Sequence, residues 1–530
     1  MMNEFPMRAY QDIRLETVAG IEMKMYYPRP TSLNQVLRES VERWGHRECL
    51  VFNQTRWTFA KFFQEVRATA ESLTYYGINH GDRVGLLMEN RLEFAVGYYA
   101  IQQVGAIAVV LNARLKPDKL DFMLRDSGTK LLVVEHKIWQ TLGFVPGTLP
   151  QLRLTVVLDH DTDNGVLSWD TFRRKRLPYV ETSIDEAEPA ALLYTSGTTG
   201  MPKGAIQSHQ NLISNAMNAT RLMEVAVDDR TLIVAPLFHA TAINSQLTAM
   251  LYAGATSVIR PYFKTDDFIA QLEKEKITIA IGVATMFWFL LESPQLAERD
   301  LSSLRYITYG GSPAPVALIR RLKERFANVR LGNVWGLTES TSITTMLPDQ
   351  AALAKADSVG LPAPTLEVRV DALDKDAKVG ELLVKGPSVI RGYWNNPGAT
   401  EATFRQGWLK TGDVGRIDDD GFVYVMDRIK DMIIRGGQNI YSIEVENVLY
   451  QHPAVLEGAV VGIPDDVWGE TVKAFVVLKP GQSQSPQQIR EFCQSRLARY
   501  MVPESVQITD VLPRNPGGKV LKDVLRVMED

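Results

Sequence analysis

Cysteine is almost absent from this chain: Cys49 and Cys493 are the two in 530 residues, far apart and with no CxxC or Cys/His spacing around them. That excludes a disulfide framework and a structural zinc site, and leaves both thiols as expected buried hydrophobes. No apolar run comes near the roughly 18 residues that a membrane-spanning helix needs. The opening residues, MMNEFPMRAYQDIR, place acids early and hold no apolar stretch of the secretory kind, so the expectation is no transmembrane segment and a reducing cytoplasm. An excess of charge of one sign is missing too. Lys and Arg number 58 and Asp and Glu 62, dispersed along the chain, for a net charge of -4. There is no basic field for a polyanion, which excludes nucleic acid as an expected partner. Internal repeats and low-complexity tracts are also lacking.

What is present is 45% hydrophobic and 23% charged residues, the composition of a globular protein with more than one core. From Ser32 onward helix and strand alternate. SLNQVLRESVERW pairs Ser32 with Gln35 as a capping box and sets Leu33, Val36, Leu37, Val41 and Trp44 on one face. Short apolar runs recur between helical stretches: VGLLM (84–88), AIAVVL (106–111), LLVV (131–134), TVVL (155–158), TLIVA (231–235), TIAIGVA (278–284) and RYIT (305–308). Such runs predict strands buried on both faces, hence mainly parallel sheets covered by helices. After about residue 360, LEVRVD, GELLVKG and GFVYVMDR read as antiparallel strands joined by turns such as DDDG at 418–421. Beyond Arg428 a second, smaller α+β unit follows, built from SIEVENVLYQ, AVVGI, VKAFVVL and QQIREFCQSRLARY, with a last loop RNPGGK. The fold class expected is α/β: a large N-terminal domain of mixed and parallel sheets with a β-rich subdomain, over 1–427, and a small C-terminal domain over 428–530.

One segment stands out chemically. YTSGTTGMPKG (194–204) follows the apolar run AALLY, and seven of its eleven residues are Gly, Ser or Thr. Glycines at 197, 200 and 204 let backbone N–H groups approach an anion, hydroxyls add donors, and Lys203 adds a charge. This is phosphate-cradling chemistry. A flexible linker would not need to follow a buried strand or carry a lysine and a proline. The Walker A pattern is not met here, nor at Gly518-Lys519, which Val520 follows.

With YGGSPAP (309–315), WGLTE (335–339), LKTGD (409–413), DRIKDMIIRGGQNI (427–440) and the terminal GGK (517–519), this loop makes an ordered set. In that order the chain resembles the adenylate-forming enzymes: acyl-CoA synthetases, aryl-CoA ligases, firefly-type luciferases and peptide-synthetase adenylation domains. The resemblance implies ATP, Mg²⁺ and CoA as ligands. It assigns the β- and γ-phosphates of ATP to Thr195, Ser196, Gly197, Thr198, Thr199 and Lys203, and the adenine to Gly310, Gly311 and Ser312, with Trp335 and Gly336 beside it. Trp335 stands where many relatives have Tyr, and either ring forms a flat wall. Thr338 is implied at the α-phosphate and Glu339 at Mg²⁺, a carboxylate suited to a hard cation. Asp413 is implied as the ribose acceptor with Arg428 as its donor partner, Lys430 as the hinge, and Lys519 as the catalytic cation between substrate carboxylate and α-phosphate. After adenylation the C-terminal domain is implied to rotate and bring Arg435, Gly436 and Gly437 to the site for CoA. Ser442 reads as the cap of the helix after them.

The acid is expected to be fatty or aryl. APLFHATAIN, with His239, Ala240 and Ile243 as candidate acyl-pocket residues, holds no carboxylate to pair a buried ammonium, which disfavours amino acids. ATMFWFLLE (284–292) reads equally as pocket wall and as helix core, and His239 equally as a tunnel gate and as a satisfied half-buried imidazole. The chain's stop at Asp530 favours free CoA; the runner-up is an acyl-AMP ligase that loads a carrier protein. A nucleotide sensor without turnover and an oxygen-using luciferase are the other readings, and the oligomeric state is left open between monomer and homodimer.

Overall fold

The computed structural model describes residues 5–143, 149–161, 165–179, 183–195, 201–312, 314–372, 378–514 and 520–528. The seven predicted apolar runs are all strands. Leu131–Glu135, Arg83–Leu87 and Ile107–Val110 sit side by side in parallel register, followed by Pro189–Thr195, in a seven-stranded sheet. Lys203–Ser208 closes that sheet as an antiparallel hairpin partner of Pro189–Thr195. A second sheet of nine strands is parallel from Arg330–Trp335 through Tyr306–Gly310, Ile279–Gly282, Arg230–Ile233 and Thr256–Ile259 to Glu48–Phe52. Helices cover both sheets, which is why these strands carry Val, Ile and Leu on both faces. The helix Leu92–Gln103 is buried at every residue but Glu93, as expected of a helix apolar all round and enclosed between layers.

The segment after residue 360 is antiparallel, as its alternation indicated: Glu367–Ala372, Val379–Lys385, Trp408–Ile417 and Val423–Arg428 pair in succession. The C-terminal unit has a five-stranded sheet in which Val455–Asp465 and Gly469–Leu478 form a long antiparallel pair, covered by the helices Ser442–Leu449 and Pro486–Gln494. Cys49 and Cys493 are both free and fully buried, as the sequence indicated. Among the described residues no helix is long and apolar enough to cross a membrane.

Three local readings differ. Ser32 does accept from the Gln35 N–H, but the Gln35 side chain turns to the Thr31 N–H (2.9 Å), so the box is half formed. Ser442 is the first residue of its helix rather than its cap; its N–H donates to Asp427 and its hydroxyl accepts from Lys522, because a buried ionic cluster lies against that helix start. The run QQIREFCQSRLARY is helical only to Gln494, after which turns lead to a short 3-10 segment, Arg499–Met501.

The element that positions everything else is the helix His209–Leu222. All its residues but Arg221 are buried, including a polar stripe of Asn211, Asn215 and Asn218. Buried amides must be satisfied, and each of these reaches a distant segment. Asn211 donates to Pro387 O (2.8 Å) and Val389 O (3.0 Å); Asn215 accepts the Ile343 N–H (3.0 Å); Asn218 donates to Thr365 (2.8 Å) and accepts from Tyr26 (2.9 Å). The stripe pins the segments that follow the WGLTE motif, at Ile343, Thr365 and Pro387 to Val389, and Tyr26 near the start of the chain.

At its start, His209 Nδ1 accepts the Leu33 N–H (3.2 Å), and burial pushes this imidazole down to about 4. The unfolded chain takes up that proton near pH 6.5. Stability from this group is therefore full above pH 6.5 and is lost as pH falls toward 4, by roughly 3 kcal/mol in all. His209→Asn, which keeps an acceptor at the Nδ1 position but cannot take a proton, is expected to flatten the fall in urea midpoint between pH 6.5 and 4.

Candidate active site

The motifs meet because adjacent parallel strands end side by side. Gly310 lies opposite Val334 in register, so the YGG turn and the Trp335-Gly336 turn leave neighbouring strands at their carboxyl ends, where open α/β sheets bind ligands. Both turns need glycine. A Cβ on Gly310 would stand 2.2 Å from Val334 O, and one on Gly336 1.5 Å from Ser342 O; Gly311 has φ +76°. Ser312 is half-buried beside them.

Trp335 Nε1 donates to Asp413 Oδ2 (2.9 Å), and Arg428 forms an ion pair with Asp413 Oδ1 from the register position directly across the antiparallel pair. Asp413 is buried, so both of its oxygens are directed by neighbours rather than by water. Thr338–Ser340 is a short 3-10 turn. Buried amides hold its backbone: Gln207 donates to Thr338 O (3.1 Å), Asn244 donates to Thr341 O (3.0 Å), and the Ile390 N–H donates to Glu339 O (2.9 Å). Glu339 Oε1 accepts from the Tyr393 hydroxyl (2.8 Å).

Thr195 and Lys203 face each other across the mouth of the glycine-rich hairpin, and the Lys203 ammonium lies 5.4 Å from the Tyr393 ring centre. Ser196, Gly197, Thr198, Thr199 and Lys519 lie outside the described residues. Among the described residues no group of three or more His, Cys, Asp or Glu is arranged to hold a metal. A lone carboxylate with one oxygen committed to a phenol fits Mg²⁺ nevertheless, because that ion is usually bound by one or two carboxylates together with substrate phosphates.

The C-terminal residues are held within their own unit. Arg435 pairs with Glu504 (3.2 Å) and donates to Tyr500 O (3.1 Å). Gly436 (φ +57°) and Gly437 (φ +80°) form the tight turn of a hairpin, and a Cβ at Gly437 would meet nothing within 4 Å. Lys430, in the connecting turn, lies 3.3 Å from Asp523, and the Ile429 N–H bonds back to Gly412 O (2.9 Å).

His239 and Ala240, the acyl-pocket candidates, precede a π-helix, Thr241–Thr248, a rare form often found at functional sites. Burial, assisted by Arg114, pushes His239 down to about 4, so the imidazole is neutral. Its Nε2 is buried without a hydrogen-bond partner among the described residues, which removes the reading of a satisfied imidazole. Ile243 is wholly buried in the core. In Ala284–Glu292, Phe287 and Leu290 are core, whereas Phe289 is 42% exposed, so that helix is mainly core on one face.

Sequence reasoning missed Tyr393 and the amide set Gln207, Asn211, Asn215 and Asn244. The only local signal was RGYWNNP, which reads as a turn.

A glycine-rich hairpin and two turns gathered at the carboxyl ends of parallel strands define a nucleotide-using α/β enzyme. Residues 37–394 match the AMP-binding enzyme family and residues 444–519 match the AMP-binding enzyme C-terminal domain, so the chain belongs to the AMP-binding enzyme family. It is similar to the long-chain-fatty-acid–CoA ligase FadD13 of Mycobacterium tuberculosis, 36% identical over 89% of this chain and 93% of that one. A feruloyl-CoA synthase of Amycolatopsis is 36% identical over 91% and 96%. The o-succinylbenzoate CoA synthetase MenE of Bacillus subtilis has been solved with its acyl-adenylate intermediate, with a TM-score of 0.82, 32% identity and coverage of 93% and 98%. The same enzyme solved with ATP and magnesium gives a TM-score of 0.80 at 32% identity over 92% and 98%.

Proposed function

We propose that this chain is an ATP-dependent acyl-CoA synthetase, an AMP-forming acid–thiol ligase, acting on a fatty or aryl acid. The observation that carries the reading is that segments of three different sheets are linked by side chains: a buried ribose-type acceptor, Asp413, bonded to Trp335 and Arg428, and an oriented carboxylate, Glu339, joined through Tyr393 to the phosphate-type lysine, Lys203.

A carboxylate is a poor electrophile, so activation comes first. One acid oxygen attacks the α-phosphorus of ATP, the bond to the β-phosphate oxygen breaks, and pyrophosphate leaves with acyl-AMP retained. CoA thiol then attacks the acyl carbon, the thiol proton is lost, and AMP leaves as the thioester forms. In this reading Asp413 accepts from the ribose hydroxyls, Trp335 walls the adenine, Thr338 donates to the α-phosphate and Lys203 meets the outer phosphates. Glu339 would hold the Mg²⁺ that arrives with ATP, which neutralises charge on the phosphates. Lys519 is the cation that this reading assigns to the pair of reacting anions.

We take 1–427 as the adenylating body and 428–530 as a lid hinged near Lys430, whose rotation exchanges Lys519 for the Arg435–Gly437 turn. The open side of Gly437 leaves room for a pantetheine arm. His239 borders the acid, a neutral imidazole with one unpaired nitrogen beside an apolar wall. We take the reaction to be cytoplasmic, in keeping with the absence of a membrane-spanning helix among the described residues. Relatives named for long-chain fatty-acid and feruloyl substrates support a fatty or aryl acid. Pyrophosphate release is to be measured with MgATP, CoA and a panel of short, medium, long-chain and aromatic acids. Release with no acid of the panel would refute the reading, and thioester formed only on a carrier protein would refute the acceptor.

A further inference from the structure

We infer that Tyr393, outside every motif used above, is a positioning residue for adenylation, holding Glu339 in its metal-binding orientation and joining it to the phosphate-loop lysine. The inference rests on the proposed function.

The backbone around Tyr393 is bonded to both parts of the site. On one side it extends the hairpin strand Lys203–Ser208: the Trp394 N–H donates to Gly204 O (2.8 Å), the Ile206 N–H donates to Gly392 O (3.2 Å), and Tyr393 bridges Ala205. On the other side the Ile390 N–H donates to the carbonyl of Glu339 (2.9 Å). The ring is 7% exposed, packed with Ala205 and Ile390, and lies 6.0 Å from the Phe404 ring. Its hydroxyl donates to Glu339 Oε1 (2.8 Å), and the Lys203 ammonium sits against its ring. One rigid side chain therefore touches both the carboxylate and the lysine that the reading assigns to MgATP.

A phenol suits this place for a chemical reason. A lysine or arginine there would neutralise Glu339 and compete with the cation, whereas a neutral donor orients the carboxylate through one oxygen and leaves its net charge for the cation. A phenol is protonated at neutral pH, so it serves as a donor there. Groups that orient a metal-binding carboxylate commonly change metal affinity by about 10–100-fold when removed.

Tyr393→Phe keeps the ring and its packing and removes only the donor. Calorimetric titration of ATP at graded Mg²⁺ is expected to show about a tenfold higher Mg²⁺ concentration for half-maximal ATP binding. Binding of AMP without Mg²⁺, thioester formation from supplied acyl-AMP, and Tm are expected to match the parent chain. In a Glu339→Gln background, Tyr393→Phe is expected to add nothing, since the two act through one bond. An unchanged Mg²⁺ requirement, or effects that simply add in the double variant, would overturn the inference. A parent chain that never exchanges pyrophosphate refutes the function instead, which separates the two failures.

Discussion

Lys519→Ala is expected to slow acyl-AMP formation by about 10²–10³-fold while thioester formation from supplied acyl-AMP continues at the parent rate. Adenylation brings a carboxylate against an α-phosphate. Two unit charges about 4 Å apart repel by roughly 4 kcal/mol at an effective dielectric near 20. A cation between them offsets that repulsion without reorganisation during the reaction, which makes it worth far more than the same charge in water. The second half-reaction has no such need. The attacking thiol approaches a carbonyl whose leaving group, AMP, is already activated. The check is direct: pyrophosphate exchange into ATP for the first step, CoA thioester from purified acyl-AMP for the second. Equal loss of both steps in a variant with unchanged Tm would show that one fixed site serves both, and the lid rotation would be wrong.

Gly336→Ala is expected to destabilise the protein by about 3 kcal/mol or more, beyond the usual range for added bulk, and to lower adenylation by about 10²-fold even where it remains folded. The added carbon would stand 1.5 Å from Ser342 O, 2.6 Å from Ser342 C and 3.1 Å from Thr344 N. Those atoms cannot yield cheaply. The Thr344 N–H bonds Trp335 O (2.8 Å), its hydroxyl bonds Ser340 (2.7 Å), the Ile343 N–H bonds Asn215 (3.0 Å), and the Thr341 hydroxyl bonds Ser388 O (2.6 Å). Displacing the turn moves Trp335 and Thr338 together, and a shift of about 1 Å in a positioning group can cost about 10²-fold in rate. Gly398→Ala is the control. It lies in the helix Pro397–Thr403 with nothing within 4 Å of a Cβ, so it leaves stability unchanged or slightly raised. Thermal unfolding and pyrophosphate exchange of both variants decide the matter; a Gly336→Ala chain as stable and active as the parent would defeat the argument.

The two substitutions illustrate what was legible. Glycines 310, 311 and 336 were placed by their motifs, but the reason a side chain is excluded at 310 is the Val334 carbonyl of the neighbouring strand, which only the fold brings close. The Asp413–Arg428 pair was expected from motif order, and the structure places the two directly opposite in adjacent strands. Tyr393 was not legible. Its partner Glu339 lies 54 positions away, and nothing in RGYWNNP distinguishes a donor aimed at a carboxylate from a turn residue covering a hydrophobic edge. The stripe Asn211, Asn215 and Asn218 was likewise silent, since its partners come from segments near 343, 365 and 389. His239 could be read two ways until its unpartnered Nε2 removed one of them.

By itself the sequence determined the strands and the order of the nucleotide motifs, because periodicity and apolar runs act over a few neighbouring residues. Only the tertiary structure decided which donor meets which acceptor inside: that Tyr393 holds Glu339, that buried amides fix the turn after Trp335, and that His239 keeps a nitrogen unpaired. A hydrogen bond depends on two atoms within about 3 Å, and for groups so far apart along the chain that distance exists only once the sheets have closed around them.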